Sequence, residues 1–327
     1  QMSIKEKRII SVLNKKGNDK IDAFVYCDNN VRIKTLQVLA FDAFGNEIKK
    51  IKKNDFKDVS AVSGGTLYSD SRVKYLEYTP INYPYTIQFT CETVTENTAF
   101  IPSFTPVDGY FVSTETSSYE INYPTDITIR KKEKNIEDTD IDKEDIAGRI
   151  FYNAKNIPAL KPEDYSPSFR EIIPKVLFAS KQFTLEGVDS VVENWDDFAK
   201  WMYHDLIKVT HDLSESTINE IQELVKDEKS KLDKAKKIYQ YVQDKVRYIS
   251  VQVGIGGWKP FNASDVDRWS YGDCKALTNY TMSLLKAANI ESNYSVVYAG
   301  SSQRSIEEDF TSIQGNHVIL NIPQENK

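Results

Sequence analysis

Cys274 sits where a loop breaks, after Tyr271-Gly272-Asp273, and an apolar helical period of Leu277, Met282, Leu284 and Leu285 follows it. That junction puts the thiol at or near a helix N-terminus. Unpaired backbone N–H groups and the positive end of the helix dipole favour a thiolate there. The thiolate is the attacking species in cysteine catalysis. His317 opens a second informative segment, Val318-Ile319-Leu320, directly after a polar Gly315-Asn316 turn. A strand end beside a helix N-terminus is where a base can meet a nucleophile. Taken singly, a cysteine is as readily a small buried hydrophobe, and a histidine at a strand start is ordinary. Together they are candidates for a nucleophile, Cys274, and its base, His317, with acyl transfer as the chemistry such a pair could do.

Such chemistry needs donors for an oxyanion. The backbone N–H of Cys274 is one candidate. Gln252, on the strand before a glycine-rich loop, and Trp258, within that loop, are weaker candidates for the other. Gln252 reads equally as an exposed strand polar, and Trp258 as a loop anchor. The loop Gly254-Ile255-Gly256-Gly257-Trp258-Lys259-Pro260 lacks the Lys-Ser/Thr continuation of a phosphate cradle, which argues against nucleotide binding. His204 and His211 stand seven apart with no third ligand evident, so no metal and no cofactor are expected. Cys27 and Cys91 lie in strand-like runs. They either pair, if their strands are neighbours, or pack as free thiols. Three cysteines in so long a chain exclude a disulfide scaffold.

The elements that must position these residues change character along the 327 residues. Residues 23–27, 31–40, 73–78, 86–92 and 119–122 are rich in β-branched and aromatic residues with partial alternation. Gly17-Asn18-Asp19, Asp28-Asn29-Asn30, Gly45-Asn46 and Ser63-Gly64-Gly65 supply turns between strands. An antiparallel β-sandwich over residues 1–170 is the expectation. Residues 131–145 are charged and 156–174 proline-rich, so 131–175 reads as a connection unable to bury a core of its own. From Trp195 the period becomes helical, with Asn194 and Ser230 as caps. Helices are predicted over 195–209, 217–229, 231–245 and about 274–288, and strands over 294–299 and 317–322. Residues 176–327 therefore read as a second, α+β domain.

Composition limits the partners. The chain is 40% hydrophobic and 28% charged, as in ordinary globular proteins. A net charge of -6 argues against nucleic acid, which needs a concentrated basic face. No apolar run approaches the ~18 residues of a membrane helix, so no transmembrane segment is expected here.

Gly272-Asp273-Cys274-Lys275-Ala276-Leu277-Thr278, a helix ending Ala287-Ala288-Asn289-Ile290, and Asn316-His317-Val318-Ile319 together resemble the bacterial transglutaminase-like superfamily. Val246-Arg247-Tyr248, Gly254-Ile255-Gly256-Gly257-Trp258 and Pro260 resemble the run before the cysteine in one branch of it, where a β-rich domain of unknown function precedes the core. The resemblance implies a papain-like cysteine fold with Cys274 and His317 in the roles above. It also implies an Asp on the next strand to orient the imidazole, which would fall beyond Lys327. Glu325, after Pro323, is the only acid downstream of His317 and a poor substitute. The activity implied is hydrolysis of a peptide or isopeptide bond through a Cys thioester, rather than cross-linking. The substrate would be a peptide or protein of the cell wall or envelope, and the location periplasmic or extracellular. The rival expectation is a non-catalytic envelope interaction module with a vestigial cysteine site.

Overall fold

The computed structural model describes residues 1–62, 66–300 and 304–323; the Ser63-Gly64-Gly65 turn and Glu325 lie outside the described residues. The fold is α+β, with antiparallel sheets in the N-terminal region and helices plus strands in the C-terminal region. Two compact units divide the chain, Gln1–Val59 with Arg72–Val191, and Ser60–Ser71 with Val192–Lys327. The first unit thus runs on past 170 to include the hairpin Gln182–Leu185 and Val188–Val191. Glu186 and Gly187 join those strands, both at positive φ, the backbone that a two-residue hairpin turn demands.

In the first unit, a four-stranded antiparallel sheet runs in the order Met2–Val12, Tyr85–Thr95, Val31–Phe41, Glu47–Lys52. Alternate residues of Tyr85–Thr95 are buried, as a half-covered strand requires. Ile87, Phe89, Leu36 and Val38 form its core with Val12 and Ala23. A second core gathers Phe104, Ile150, Tyr152, Val176 and Phe178. It lies over the sheet Ile141–Ile146, Arg149–Ile157, Thr114–Asn122 and the ladder Ile129–Lys134 with Lys175–Ser180. The region expected as one sandwich therefore holds two apolar cores. Cys27 and Cys91 are free thiols.

The charged stretch 131–145 corrects the sequence expectation of a connection, because it forms most of two strands. Its charges are paired across strands: Lys131 with Asp145 at 2.5 Å, Lys143 with Glu133 at 2.8 Å. Lys131 also lays its ammonium over the buried Tyr152 ring, 5.8 Å from the centroid. Ile141–Ile146 is an edge strand, where charged residues face water and block further pairing.

In the second unit the expected caps are present. Asn194 accepts from Asp197 N, and Ser230 from Asp233 N. Helices Glu215–Leu224 and Lys231–Lys245 pack their apolar faces on the helix Cys274–Ala287, through Ile221, Ile238, Val242, Tyr280 and Leu284. The helix predicted over 195–209 is regular only for Trp195–Trp201, then widens to a π turn at Met202–Ile207. A helix at Ala263–Trp269, unforeseen from the sequence, carries Asp267. The Asp267 carboxylate accepts from Lys245 Nζ at 2.5 Å, Tyr280 Oη at 2.5 Å and Thr217 Oγ1 at 3.0 Å, tying four helices together. Among the described residues, no helix is long and apolar enough to cross a membrane.

Burial pushes the Asp267 carboxyl upward, yet the bonds from Lys245, Tyr280 and Thr217 outweigh it and hold it below the ordinary carboxylate range. A depressed carboxyl stabilises the fold fully above its unfolded value of about 3.9, and the gain vanishes as pH falls through the folded value. Asp267→Asn should therefore cost about 1.5–3 kcal/mol at pH 7, the worth of hydrogen bonds to a charged group. Urea melts of both proteins at pH 7 and near pH 3 check this. An equal gap at the two pH values would show that the charge is not what matters.

Candidate active site

The helix Cys274–Ala287 is buried on nearly every side from Lys275 to Leu285, so its first turn is anchored by the whole core. Two of its polar residues bond carbonyls inside: Asn279 Nδ2 reaches those of Thr210 and Phe261, and Ser283 Oγ that of Asn279. Asp273 is the N-cap. Its backbone is extended and its Oδ1 accepts from Ala276 N at 3.0 Å. Gly272 precedes it because a Cβ there would stand 2.7 Å from Ala276 Cβ. The sequence expectation that Cys274 starts a helix is met at that residue.

Around the cap lies a buried polar group that the sequence reading missed. Lys275 folds back to bond Asp273 Oδ2, and both side chains are almost wholly buried, at 7% and 4% exposure. Gln252 Nε2 donates to the same Oδ2 at 3.0 Å and to Ser250 Oγ at 3.3 Å. Both amide hydrogens of Gln252 are thus spent on positioning the cap. A lysine inside an otherwise apolar helix face, two residues after an aspartate cap, was the local signal available.

The strand carrying Gln252, Ser250–Gln252, pairs in parallel with Thr66–Ser69, from the segment of the N-terminal half that belongs to this unit. Thr66 Oγ1 donates to Ser250 Oγ at 3.2 Å, and Gly254 N reaches Asp70 Oδ2 at 3.4 Å. Trp258 closes the turn Gly254–Gly257, half-buried, with its backbone N–H given to the Ile255 carbonyl at 2.8 Å.

A short parallel ladder pairs Arg247 with Tyr271 and Tyr248 with Gly272, fixed by Ile249 N on the Gly272 carbonyl at 2.9 Å. It makes Tyr248 a close neighbour of Cys274, whose thiol raises the pKa of the Tyr248 hydroxyl after burial does. Tyr294, on the strand Asn293–Val297, also faces this corner. Burial raises its hydroxyl pKa, and Cys274 and Asp273 raise it further. Neither tyrosine was singled out from the sequence as a site residue, although Tyr248 lies in the Val246-Arg247-Tyr248 run, since both approach Cys274 only through pairings between distant segments.

His317 begins the strand His317–Asn321, opposite Val297, and that strand packs along the Cys274 helix. The turn before it needs glycine: Gly315 has φ of 90°, and a Cβ would meet Val296 Cγ1 at 2.4 Å. Asn316 then clasps Ala299 through both backbone groups, at 2.7 and 2.9 Å, which fixes where His317 starts. The structure therefore joins Cys274, Tyr248, Asp273, Lys275 and Gln252. No hydrogen bond among the described residues joins the His317 ring to that group or to an orienting carboxylate. His204 and His211 lie in the wider helical segment, away from this cluster's bonds. Among the described residues, no group of three or more His, Cys, Asp or Glu is placed to hold a metal.

Residues 1–161 match the family model Domain of Unknown Function with solved-structure structure (DUF3857), and residues 219–323 match the Transglutaminase-like superfamily. No curated protein matches the chain. A crystal structure from Parabacteroides distasonis, described as that of a candidate protease, superposes with a TM-score of 0.65 at 14% identity. The match covers 98% of this chain and 64% of that one, so this chain spans less than two thirds of its length.

Proposed function

This chain belongs to the transglutaminase-like superfamily, behind an N-terminal DUF3857 domain, and from that premise we propose that it is a cysteine acyl-transfer enzyme that hydrolyses amide bonds. One observation carries the proposal: Cys274 leads a deeply anchored helix whose cap is held by a buried Lys275–Asp273 pair and by Gln252. Positioning of that kind is what nucleophilic catalysis needs and what a merely packed thiol does not.

In this reading His317 takes the Cys274 proton and the sulfur attacks the carbonyl carbon. A C–S bond forms and the carbonyl electron pair moves to oxygen. Collapse restores the C=O and expels the amine, which receives the proton held by His317. Water then repeats the sequence in reverse on the thioester, releasing the acid and restoring the thiol. The substrate is read as a peptide or protein, in line with the description of the structural neighbour as a candidate protease. Its place is read as the cell envelope, an expectation that the family resemblance supports.

The test is an acyl adduct. After mixing with acetylglycine p-nitrophenyl ester at neutral pH, mass spectrometry should find the acetylglycyl group on Cys274. Cys91 should stay unmodified, because burial and then the nearby Glu6 push its pKa up to about 11. Cys27 is likewise raised, by burial first. Few of either are thiolates at neutral pH. A chain that never acylates at Cys274, with an ester this reactive, would favour the non-catalytic module instead.

A further inference from the structure

Acyl transfer at Cys274 calls for donors aimed at the new oxyanion. Cys274 N–H is one. Gln252 has both amide hydrogens on Ser250 and Asp273. Resting on the acyl-transfer reading above, we propose that Tyr248 is a further catalytic residue, whose hydroxyl donates the second hydrogen bond to the oxyanion.

The register of two strands places it there. Tyr248 lies opposite Gly272, two residues before the nucleophile, and the bond from Ile249 N to the Gly272 carbonyl locks that register. Tyr248 is thereby a close neighbour of Cys274, near enough for the thiol to act on the hydroxyl. An acyl oxygen bonded through carbon to the sulfur, and held by the Cys274 N–H, would form next to that side chain. Tyr248 is 56% exposed, so substrate meets it without any opening of the core. Burial first, and then Cys274 and Asp273, raise its pKa, so the phenol keeps its proton at neutral pH and has it to donate. During attack the O–H turns to the carbonyl oxygen as negative charge develops there. It remains a hydrogen bond and returns when the C=O re-forms, so no proton changes owner.

Two reactions of the same sulfur separate this role from others. Alkylation by iodoacetamide displaces iodide and creates no oxyanion, whereas acylation by acetylglycine p-nitrophenyl ester does. Tyr248→Phe removes only the hydroxyl. It should acylate roughly 10²-fold more slowly than wild type, in the range for loss of one oxyanion donor, and alkylate within about twofold of it. The ratio of the two rates does not depend on how much of the variant is folded. A peptidyl aldehyde, whose adduct with Cys274 also places an oxygen in this position, should protect the variant from iodoacetamide at least about tenfold less well. An unchanged ratio of rates with unchanged aldehyde protection overturns the role of Tyr248 while leaving Cys274 as nucleophile. Equal acceleration of both reactions overturns it too, since the hydroxyl would then be a plug on the sulfur. Failure of the wild-type chain to acylate at all sinks the acyl-transfer reading itself and this inference with it.

Discussion

His317→Ala should slow hydrolysis of an acetylated peptide p-nitroanilide by roughly 10²–10⁴-fold, the usual contribution of a general base, while leaving thermal stability close to wild type. The side chain starts a strand and is only half-buried, and its ring makes no hydrogen bond among the described residues. Its removal therefore leaves no orphaned partner. What places it is backbone: the Gly315 turn, the Asn316 clasp on Ala299 and the ladder to Val297. Those features are untouched by the substitution. Cys274→Ala should abolish turnover, and the double variant should be no worse than Cys274→Ala alone, because members of one catalytic unit are not additive. Steady-state rates of the three variants at equal folded concentration decide it. Turnover by His317→Ala within about threefold of wild type would mean that the base lies elsewhere, in conflict with the contribution expected of it.

How much of this was legible in the sequence depended on how far each signal reaches along the chain. Caps are local: Asn194 and Ser230 each bond a backbone N–H three residues on, and both were readable. So was the start of the Cys274 helix, because Gly272 and Asp273 break the loop directly before an apolar period. The charged stretch 131–145 was misread because its ion pairs join positions on different strands, which composition cannot show. A low apolar count argued against a core element, yet an edge strand over Tyr152 needs only aliphatic stems and paired charges. The recruitment of Ser60–Ser71 to the second unit was hidden for the same reason, since its parallel pairing with Ser250–Gln252 spans much of the chain. In the candidate site, Cys274 and His317 stood out in local motifs, whereas the placing of Tyr248 depends on a two-residue ladder to Gly272. Gln252 was singled out as a weak oxyanion candidate, and the structure shows its amide engaged with the cap instead.

Lys275→Met is the substitution expected to damage stability most, by about 3–5 kcal/mol, the cost of leaving one member of a buried ion pair behind. The remaining Asp273 carboxylate would keep only Gln252 Nε2 and Ala276 N as donors, in a place where almost no water reaches it. Methionine matches the length of the lysine stem, so packing loss is small and the missing charge dominates. The chemistry should suffer as well, because a bare carboxylate next to the sulfur opposes formation of a second negative charge. Iodoacetamide should therefore react with Cys274 more slowly in the folded fraction of Lys275→Met. The double variant Asp273→Asn with Lys275→Met removes both charges and keeps a cap that still accepts from Ala276 N. It should recover most of the lost stability, giving a coupling energy of about 2–3 kcal/mol in the double-mutant cycle. Urea unfolding of wild type, both single variants and the double variant measures that coupling. If Lys275→Met unfolds within about 1 kcal/mol of wild type, then water or another donor must neutralise Asp273 in place of Lys275. The pair would then not be what holds the cap of the Cys274 helix.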